Sequence, residues 1–272
     1  MRIGFVGAGR MGRPMVTRLL AAGHEVRVLA RSERARADLA DLGAAPVEDL
    51  PAVADAADAV VVCVFTDDQV REVGLDGPLL SAMAPGSVLI VHTTGSPDTA
   101  TALAAAAPEG VHIVDAPVSG GPHNIAAGEL TVMIGGDERA VGLARPVLSA
   151  YGDPLVHVGP LGSGQRVKLV NNALFTAQIG LIAEAVRLAA ALGVTEAALL
   201  SALPHASSSG RALVGIAAKG SVAEFHSSVG EFVRKDVAVA RALAADLGVD
   251  LGLLDTAIEA GAATKSKPAD SH

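Results

Sequence analysis

The sequence predicts an α/β fold in two parts: a doubly wound parallel sheet over residues 1–160 and an all-helical region over residues 161–272. Three observations support this organisation. Short apolar strands alternate with amphipathic helices through the first part, which is typical of parallel sheets. Strand patterns stop near residue 160. The chain is 50% hydrophobic, which supplies enough apolar surface for two cores.

Strands and helices follow one another regularly in the first part. The predicted strands are 2–6, 25–30, 59–65, 87–92, 112–116, 130–136 and 154–159. The predicted helices are 10–23, 33–43, 69–74, 97–107 and 138–151. We expect Ser32, then Asp67 or Asp68, then Ser96 to be the N-caps of the second, third and fourth helices.

The second part contains only helical patterns. The predicted helices are 163–192, 195–203, 209–218, 231–247 and 251–263, and the polar tail 265–272 is expected to fray. The first of these helices is apolar around most of its circumference, so we expect it to be buried between domains or between subunits. This predicts a homodimer or homotetramer formed through the helical domain.

Composition and charge exclude several classes of partner. The net charge is -8, no run of Lys or Arg occurs, and only 2% of residues are aromatic, so we expect no nucleic-acid partner. Cys63 is the single cysteine and lies in an apolar strand, which indicates a core residue. The histidines show no metal-ligand spacing, so no metal is expected. We find no charged leader or unbroken membrane-length apolar run and predict a cytoplasmic protein without a membrane partner.

A glycine-rich turn lies between the first predicted strand and the first predicted helix. Its six residues are Gly7, Ala8, Gly9, Arg10, Met11 and Gly12. In this context the GxGxxG pattern indicates a dinucleotide-binding Rossmann fold: the first glycine permits the tight turn, the second lets the pyrophosphate approach, and the third lets helix and strand pack. The N-terminus of the helix then faces the anion.

The residues after the second strand indicate which dinucleotide binds. An NAD-binding protein usually has Asp or Glu here, whereas this chain has Ala30, Arg31 and Ser32. The Arg31 guanidinium and the Ser32 hydroxyl can hold a 2′-phosphate, with Arg34 or Arg36 as possible helpers. We therefore predict NADP as the cofactor, with NADPH preferred over NADH. The alternative is that Arg31 is an ordinary surface charge.

Four ordered motifs extend over nearly the whole chain. They are "GFVGAGRMGRPM" at 4–15, "DAPVSGG" at 115–121 continuing to "GELTVMIGG" at 128–136, "GPLGSGQRVKLVNN" at 159–172, and "RKDVAVA" at 234–240. With these motifs the chain resembles the β-hydroxyacid dehydrogenase family, which includes 3-hydroxyisobutyrate dehydrogenases and tartronate semialdehyde (glyoxylate) reductases. The resemblance implies hydride transfer between NADP(H) and a small β-hydroxy acid or its semialdehyde or keto counterpart.

The resemblance also implies roles for individual residues. It implies that Lys168 is the catalytic lysine and Asn172 its partner, and that the substrate carboxylate is held by Ser119, Gly120 and Gly121. It further implies that Phe65, Thr66 and Thr94 contact the cofactor and that Lys235 closes over it.

Chemistry at Lys168 agrees with the implied role. Positions 168 and 172 lie one helical turn apart, so both side chains can project from one face. Hydride transfer requires a group that accepts or donates the hydroxyl proton, and one amine can do both. Desolvation and the positive oxidised nicotinamide should bring the lysine pKa toward the working pH. A snorkelling surface lysine and a surface Asn are the alternative.

Two departures from the family leave the substrate open. The chain has Asn124-Ile125 where most members have Gly-Ala, and Ser228 where an aromatic residue is usual. Two other functions are considered. An imine reductase-like NADPH enzyme would share the fold but generally lacks the lysine, and a catalytically idle NADP(H)-binding module would have lost it.

Overall fold

The computed structural model describes residues 1–262, so the predicted tail and residue 263 of the last predicted helix lie outside the described residues. The chain divides into two compact units, and the division falls between Lys168 and Leu169, within one long helix. The first turn of that helix therefore belongs to the first unit.

A nine-stranded sheet forms the centre of the first unit. Its strands are β1 (Arg2–Val6), β2 (Glu25–Leu29), β3 (Ala45–Val47), β4 (Ala59–Val62), β5 (Val88–Val91), β6 (His112–Asp115), β7 (Val118–Ser119), β8 (Thr131–Gly135) and β9 (Leu155–Gly159). The order is β3-β2-β1-β4-β5-β6-β8-β7, with β9 paired to β8. Strands β1 to β6 pair in parallel, and β8 pairs antiparallel with β6 and β7. The predicted doubly wound α/β fold is confirmed.

Helices connect the strands of the first unit. They are α1 (Gly12–Ala21), α2 (Glu33–Ala40), α3 (Leu50–Ala54), α4 (Asp67–Arg71), α5 (Pro97–Ala106), α6 (Pro122–Ala127) and α7 (Glu138–Leu148). A π-helical turn, Glu72–Asp76, continues α4, and a short 3-10 helix spans Leu80–Ala82.

Apolar residues of the central strands pack on both faces of the sheet. In β1, Ile3 and Phe5 belong to one buried cluster and Val6 to the other. In β4, Val61 belongs to the first cluster, while Val60 and Val62 belong to the second. Side chains alternate between the faces because successive residues of a strand point in opposite directions. This is why these strands read as continuous apolar runs.

The described residues of the second unit form helices joined by loops. They are α8 (Ser163–Ala191), which begins in the first unit, α9 (Glu196–Ala202), α10 (Arg211–Lys219), α11 (Val222–Asp246) and α12 (Leu253–Ala262), with a 3-10 helix at Leu203–His205. Gly180 lets α8 and α12 approach closely, since a Cβ at this position would overlap the carbonyl oxygen of Ala257. Close approach of the two helices at a glycine thus adds to the packing of a chain in which only 2% of residues are aromatic.

One predicted helix start and one predicted N-cap were wrong. Helix α11 begins nine residues before the predicted residue 231, because Ser221 accepts the Glu224 N–H as N-cap and Phe225 is buried in the helical core. The N-cap of α4 is Thr66 and neither Asp67 nor Asp68. Burial of Phe225 accounts for the first error, and the capping box between Thr66 and Gln69 accounts for the second.

Among the described residues, α8 is long and apolar enough to cross a membrane by length and composition alone. Core helices of soluble proteins pass the same test, so this is weak evidence. The cytoplasmic location stays a prediction.

Candidate active site

The turn between β1 and α1 uses its three glycines differently. A Cβ on Gly7, which has φ +99, would overlap the Cys63 carbonyl oxygen, and a Cβ on Gly12 would overlap the Gly7 carbonyl oxygen. A Cβ on Gly9 would meet no atom within 4 Å. The protein's own packing therefore requires Gly7 and Gly12, while Gly9 borders open space.

The N-terminus of α1 is suited to an anion. Its N-cap, Met11, makes no side-chain capping hydrogen bond, and the first turn contains no acidic residue. Unbonded N–H groups and the helix dipole favour negative charge at such a terminus. Together with the space beside Gly9, this turn fits the pyrophosphate of a dinucleotide.

A cavity of about 190 Å³ lies beside this turn. Val6, Gly7, Leu29, Arg31, Val64, Gln69, Glu72 and Val73 line it. Arg31 is exposed, and the Ser32 oxygen accepts the Ala35 N–H at 3.2 Å as the N-cap of α2. Because the Ser32 oxygen acts here as an acceptor, its hydroxyl proton remains available to a ligand. Of the proposed helpers, Arg36 forms an ion pair with Glu48 at 3.2 Å.

Phe65 and Thr66 follow β4 and are organised by Gln69. The Gln69 side-chain oxygen accepts the N–H groups of Phe65 at 2.9 Å and Thr66 at 3.1 Å, and the Thr66 hydroxyl oxygen accepts the Gln69 N–H. This reciprocal capping box holds the loop without a ligand. The Phe65 side chain is 40% exposed, a large apolar surface at the edge of the loop.

Two side chains connect the start of α8 with the ends of neighbouring strands. Asp115, at the end of β6, is fully buried, and its carboxylate accepts the N–H groups of Gly162 at 2.6 Å and Gln165 at 2.7 Å. The Gln165 side chain accepts the Gly95 N–H at 3.1 Å and donates to the Thr93 carbonyl at 2.8 Å. Thr94, a predicted cofactor contact, lies between these two backbone partners.

Burial and hydrogen bonding act oppositely on Asp115. Desolvation raises its pKa above the ordinary value, while the Gly162 and Gln165 N–H groups lower it. Gly135 and Gly164 make room for the carboxylate, since a Cβ at either position would crowd it. We did not single out Asp115 or Gln165 from the sequence, although both lie in the quoted motifs. A carboxylate ending a strand was the available signal for Asp115.

His92 and Tyr151 form a buried polar pair beneath the same region. The His92 Nδ1 lies 2.6 Å from the Ala116 carbonyl oxygen, and its Nε2 lies 2.8 Å from the Tyr151 hydroxyl. Burial lowers the pKa of His92 to about 4, so the ring is neutral at physiological pH. This pair supports the chain segment that leads from β6 to the predicted carboxylate loop.

The predicted carboxylate loop, residues 119–121, contains one donor that is already used. The Gly121 N–H donates to the Asn124 side-chain oxygen at 2.9 Å, at the start of α6. Gly120 has φ +134, a conformation that favours glycine, and is exposed. Ile125, the second residue of the Asn124-Ile125 departure, is fully buried in the sheet core. The departure that faces this loop is therefore Asn124.

Lys168 and Asn172 lie one turn apart on α8, as predicted. Lys168 is only 9% exposed. In the second unit, Asn172 donates to the Asp236 carboxylate at 2.5 Å and accepts from Asn171 at 2.9 Å. Lys235 forms an ion pair with Asp236 at 2.7 Å. Asp236, which we did not single out, thus connects two of the residues that the sequence pointed to.

Two family models and several known proteins match this chain. Residues 2–159 match the NAD binding domain of 6-phosphogluconate dehydrogenase, and residues 162–271 match the NAD-binding region of NADP-dependent 3-hydroxyisobutyrate dehydrogenase. An uncharacterized oxidoreductase of Mycobacterium tuberculosis is 34% identical over 98% of this chain and 94% of its own length.

Two further relatives have named activities or ligands. An NAD-dependent L-serine dehydrogenase of Pseudomonas aeruginosa is 38% identical over 77% of this chain and 70% of its own length. The structure of Mycobacterium tuberculosis 3-hydroxyisobutyrate dehydrogenase with L-serine superposes with a TM-score of 0.85 and 31% identity, covering 97% of this chain and 93% of that one.

The fold, the glycine turn and these matches define an NAD(P)-dependent oxidoreductase. The chain belongs to the β-hydroxyacid dehydrogenase family.

Proposed function

We propose that the protein is an NADPH-preferring oxidoreductase of a small β-hydroxy acid or its semialdehyde or keto counterpart, with Lys168 as general acid and base. The burial of Lys168 carries this proposal. A lysine is rarely buried unless its amine has a specific partner or function. It lies three residues after Gln165, whose side chain is bonded on both sides of Thr94.

In this mechanism the chain's own groups bind the substrate and move one proton. The glycine turn 7–12 and Arg31 would hold NADP(H), which would supply or accept the hydride. Lys168 gives a proton to the substrate oxygen in reduction and takes it back in oxidation. Asn172, whose side chain is held by Asp236, offers an uncharged amide as the partner that the family resemblance implies for Lys168. Ser119 and Gly120 supply donors to the substrate carboxylate.

The proton role of Lys168 is tested by substitution. We expect Lys168→Ala to bind NADPH normally and to lose at least about 100-fold in turnover of 3-hydroxyisobutyrate or L-serine. Lys168→Arg should also be inactive because a guanidinium keeps its proton. The exposed Lys219→Ala serves as the matched control. Wild-type turnover in Lys168→Ala would reject the assignment.

NADPH preference rests on Arg31 and on the absence of a carboxylate at positions 30–32. Arg31 lines the cavity beside the glycine turn, and the Ser32 hydroxyl proton is available. We expect NADPH to bind at least about tenfold more tightly than NADH, and Arg31→Asp to reverse the order. Arg145→Asp, an exposed arginine on α7, is the control. Equal wild-type affinities would contradict this part of the proposal.

A second copy of the chain is the proposed partner of α8. Every seventh residue from Val167 is a large apolar side chain, and Val167, Leu174, Leu181 and Leu188 are 40%, 48%, 60% and 61% exposed. A heptad stripe of this kind is typical of helix pairing. We expect a dimer or tetramer by light scattering, and Leu181→Glu with Leu188→Glu to produce a monomer. A monomeric wild-type protein would reject the pairing.

Substrate class is tested by a direct screen. Small hydroxy acids and semialdehydes are compared with a cyclic imine, with both cofactors. Turnover of the acids supports the proposal. Turnover of the imine alone would favour an imine reductase, and cofactor binding without any turnover would favour an idle binding module.

A further inference from the structure

We propose that Gln165 is a positioning residue that holds Lys168 at a fixed distance from the loop containing Thr94. The inference rests on the proposed function of Lys168. It concerns the route by which the proton-carrying amine is placed, and Gln165 itself is not required to touch substrate or cofactor.

The Gln165 side chain is bonded at both ends. It is 2% exposed, and its amide accepts the Gly95 N–H at 3.1 Å and donates to the Thr93 carbonyl at 2.8 Å. An amide is suited to this task because it offers one acceptor and two donors without charge. The two bonds lie on either side of Thr94, so the side chain holds the backbone around that residue in place.

The Thr93 end of this connection is itself fixed. The Thr93 hydroxyl donates to the Val64 carbonyl at 2.9 Å and accepts the Val64 N–H at 3.1 Å. Val64 follows β4, and Thr93 follows β5. The loop that Gln165 holds is therefore tied to the neighbouring strand end as well.

The helix end of the connection is fixed by Asp115. The Gln165 backbone N–H donates to one carboxylate oxygen of Asp115, and the Gly162 N–H donates to the other. The first turn of α8 is thus joined by buried hydrogen bonds to the residues after β5 and to the end of β6, and through Thr93 to Val64 after β4. Lys168 follows Gln165 by three residues, which places both on one helix face.

The physical consequence is a fixed separation between Lys168 and Thr94. A buried amide that loses its partners leaves the Gly95 N–H and the Thr93 carbonyl unsatisfied, and the loop must then shift to find others. A displacement of about 1 Å in a reacting group can cost about 100-fold in rate. A purely structural glutamine would lower stability without this selective effect on proton transfer.

Two variants separate the hydrogen bonds from the space that the side chain fills. Gln165→Met keeps the approximate length and loses both bonds, whereas Gln165→Glu can still accept the Gly95 N–H but, when ionised, cannot donate to the Thr93 carbonyl. Gln178→Met is the matched control, since Gln178 lies on α8 and its side chain makes no hydrogen bond to a described residue.

The first readout is amide hydrogen exchange in the protein without cofactor. We expect Gln165→Met to speed exchange of the Gly95 amide and of the first turn of α8 by at least about tenfold, with Gln165→Glu affecting Gly95 less. Gln178→Met should leave both unchanged. Unaltered exchange at Gly95 in Gln165→Met would overturn the inference whatever the activity.

The second readout is a double-mutant cycle on single-turnover hydride transfer from 3-hydroxyisobutyrate to NADP⁺. We expect Gln165→Met to slow transfer by about 10- to 100-fold in the wild-type background and by less than threefold in Lys168→Ala, because one acts through the other. If the rate losses of the two single variants multiply in the double variant, the inference about Gln165 is rejected while the proposed function stands. Wild-type transfer in Lys168→Ala would reject the proposed function, and this inference with it.

Discussion

Residues 7–12 and residues 119–121 are both glycine-containing segments at the end of a strand, called here the first and the second loop, yet they are built differently. In the first loop, Gly7 and Gly12 are required by packing, and Gly9 faces open space. In the second loop, the Gly121 N–H is bonded to Asn124. The first loop thus has a glycine beside open space, whereas in the second loop one glycine N–H, that of Gly121, is already bonded within the protein. A glycine motif indicates a possible anion site, and neighbouring side chains decide how many donors it offers.

The largest expected effect is on the free energy of unfolding and comes from His92, which bonds to the Ala116 carbonyl in the segment before the second loop. Its pKa is lowered to about 4, below the unfolded value of about 6.5, so the unfolded chain binds more protons between these values. This contribution to the free energy of unfolding is complete above pH 6.5 and falls by about 3 kcal/mol as the pH drops to 4.

Urea unfolding between pH 4 and pH 8 measures this effect. The stability difference between the wild type and His92→Gln should be largest above pH 6.5 and shrink toward pH 4, since glutamine has no proton to gain. A difference that stays constant with pH would show that His92 is not the titrating group.

The next effect distinguishes Gly12 from Gly9 in the first loop by stability and by NADPH binding. Gly12→Ala forces a Cβ against the Gly7 carbonyl and the Phe5 ring, so we expect a loss of about 1–3 kcal/mol in unfolding free energy. Gly9→Ala should leave stability nearly unchanged and weaken NADPH binding by at least about tenfold. Thermal unfolding and fluorescence titration distinguish the two. Equal stability losses in both variants would remove the contrast between them.

The smallest expected effect is a change in KM when the Gly121 N–H of the second loop loses its partner. Asn124→Gly frees the Gly121 N–H, and we expect KM for 3-hydroxyisobutyrate to change by about three- to tenfold, with kcat less affected. His123→Gly, a neighbouring exposed position on α6, is the control. If KM is the same in Asn124→Gly and the wild type, the Gly121 N–H does not contribute to substrate binding.

Much of the fold could be predicted because its signals are local. Apolar runs mark the central strands, and the glycine turn is a pattern of strand, turn and helix within a few residues. The start of α11 was missed because Ser227, Ser228 and Gly230 are weak helix formers, and the burial of Phe225 overrides them. Strand β7 and helix α6 are too short to show a period.

The hydrogen bonds of the candidate site were less predictable than its residues. Lys168 and Asn172 are visible as polar residues in an apolar helix. The bonds that Gln165 makes to Gly95 and Asp115 join residues that are 70 and 50 positions apart in the chain. No local sequence pattern predicts which distant residue an amide or a carboxylate will hydrogen-bond. The roles of Asp115, Gln165 and Asp236 were therefore seen only in the structure.

Cys63 follows β4, and its carbonyl oxygen lies under the glycine turn. Burial raises the pKa of its thiol to about 12, so almost no thiolate exists at neutral pH. A cysteine introduced at the exposed Val214 on α10 would then be the dominant target of maleimide reagents. The chain accordingly offers a low background for single-site fluorophores or spin labels without prior removal of its native thiol.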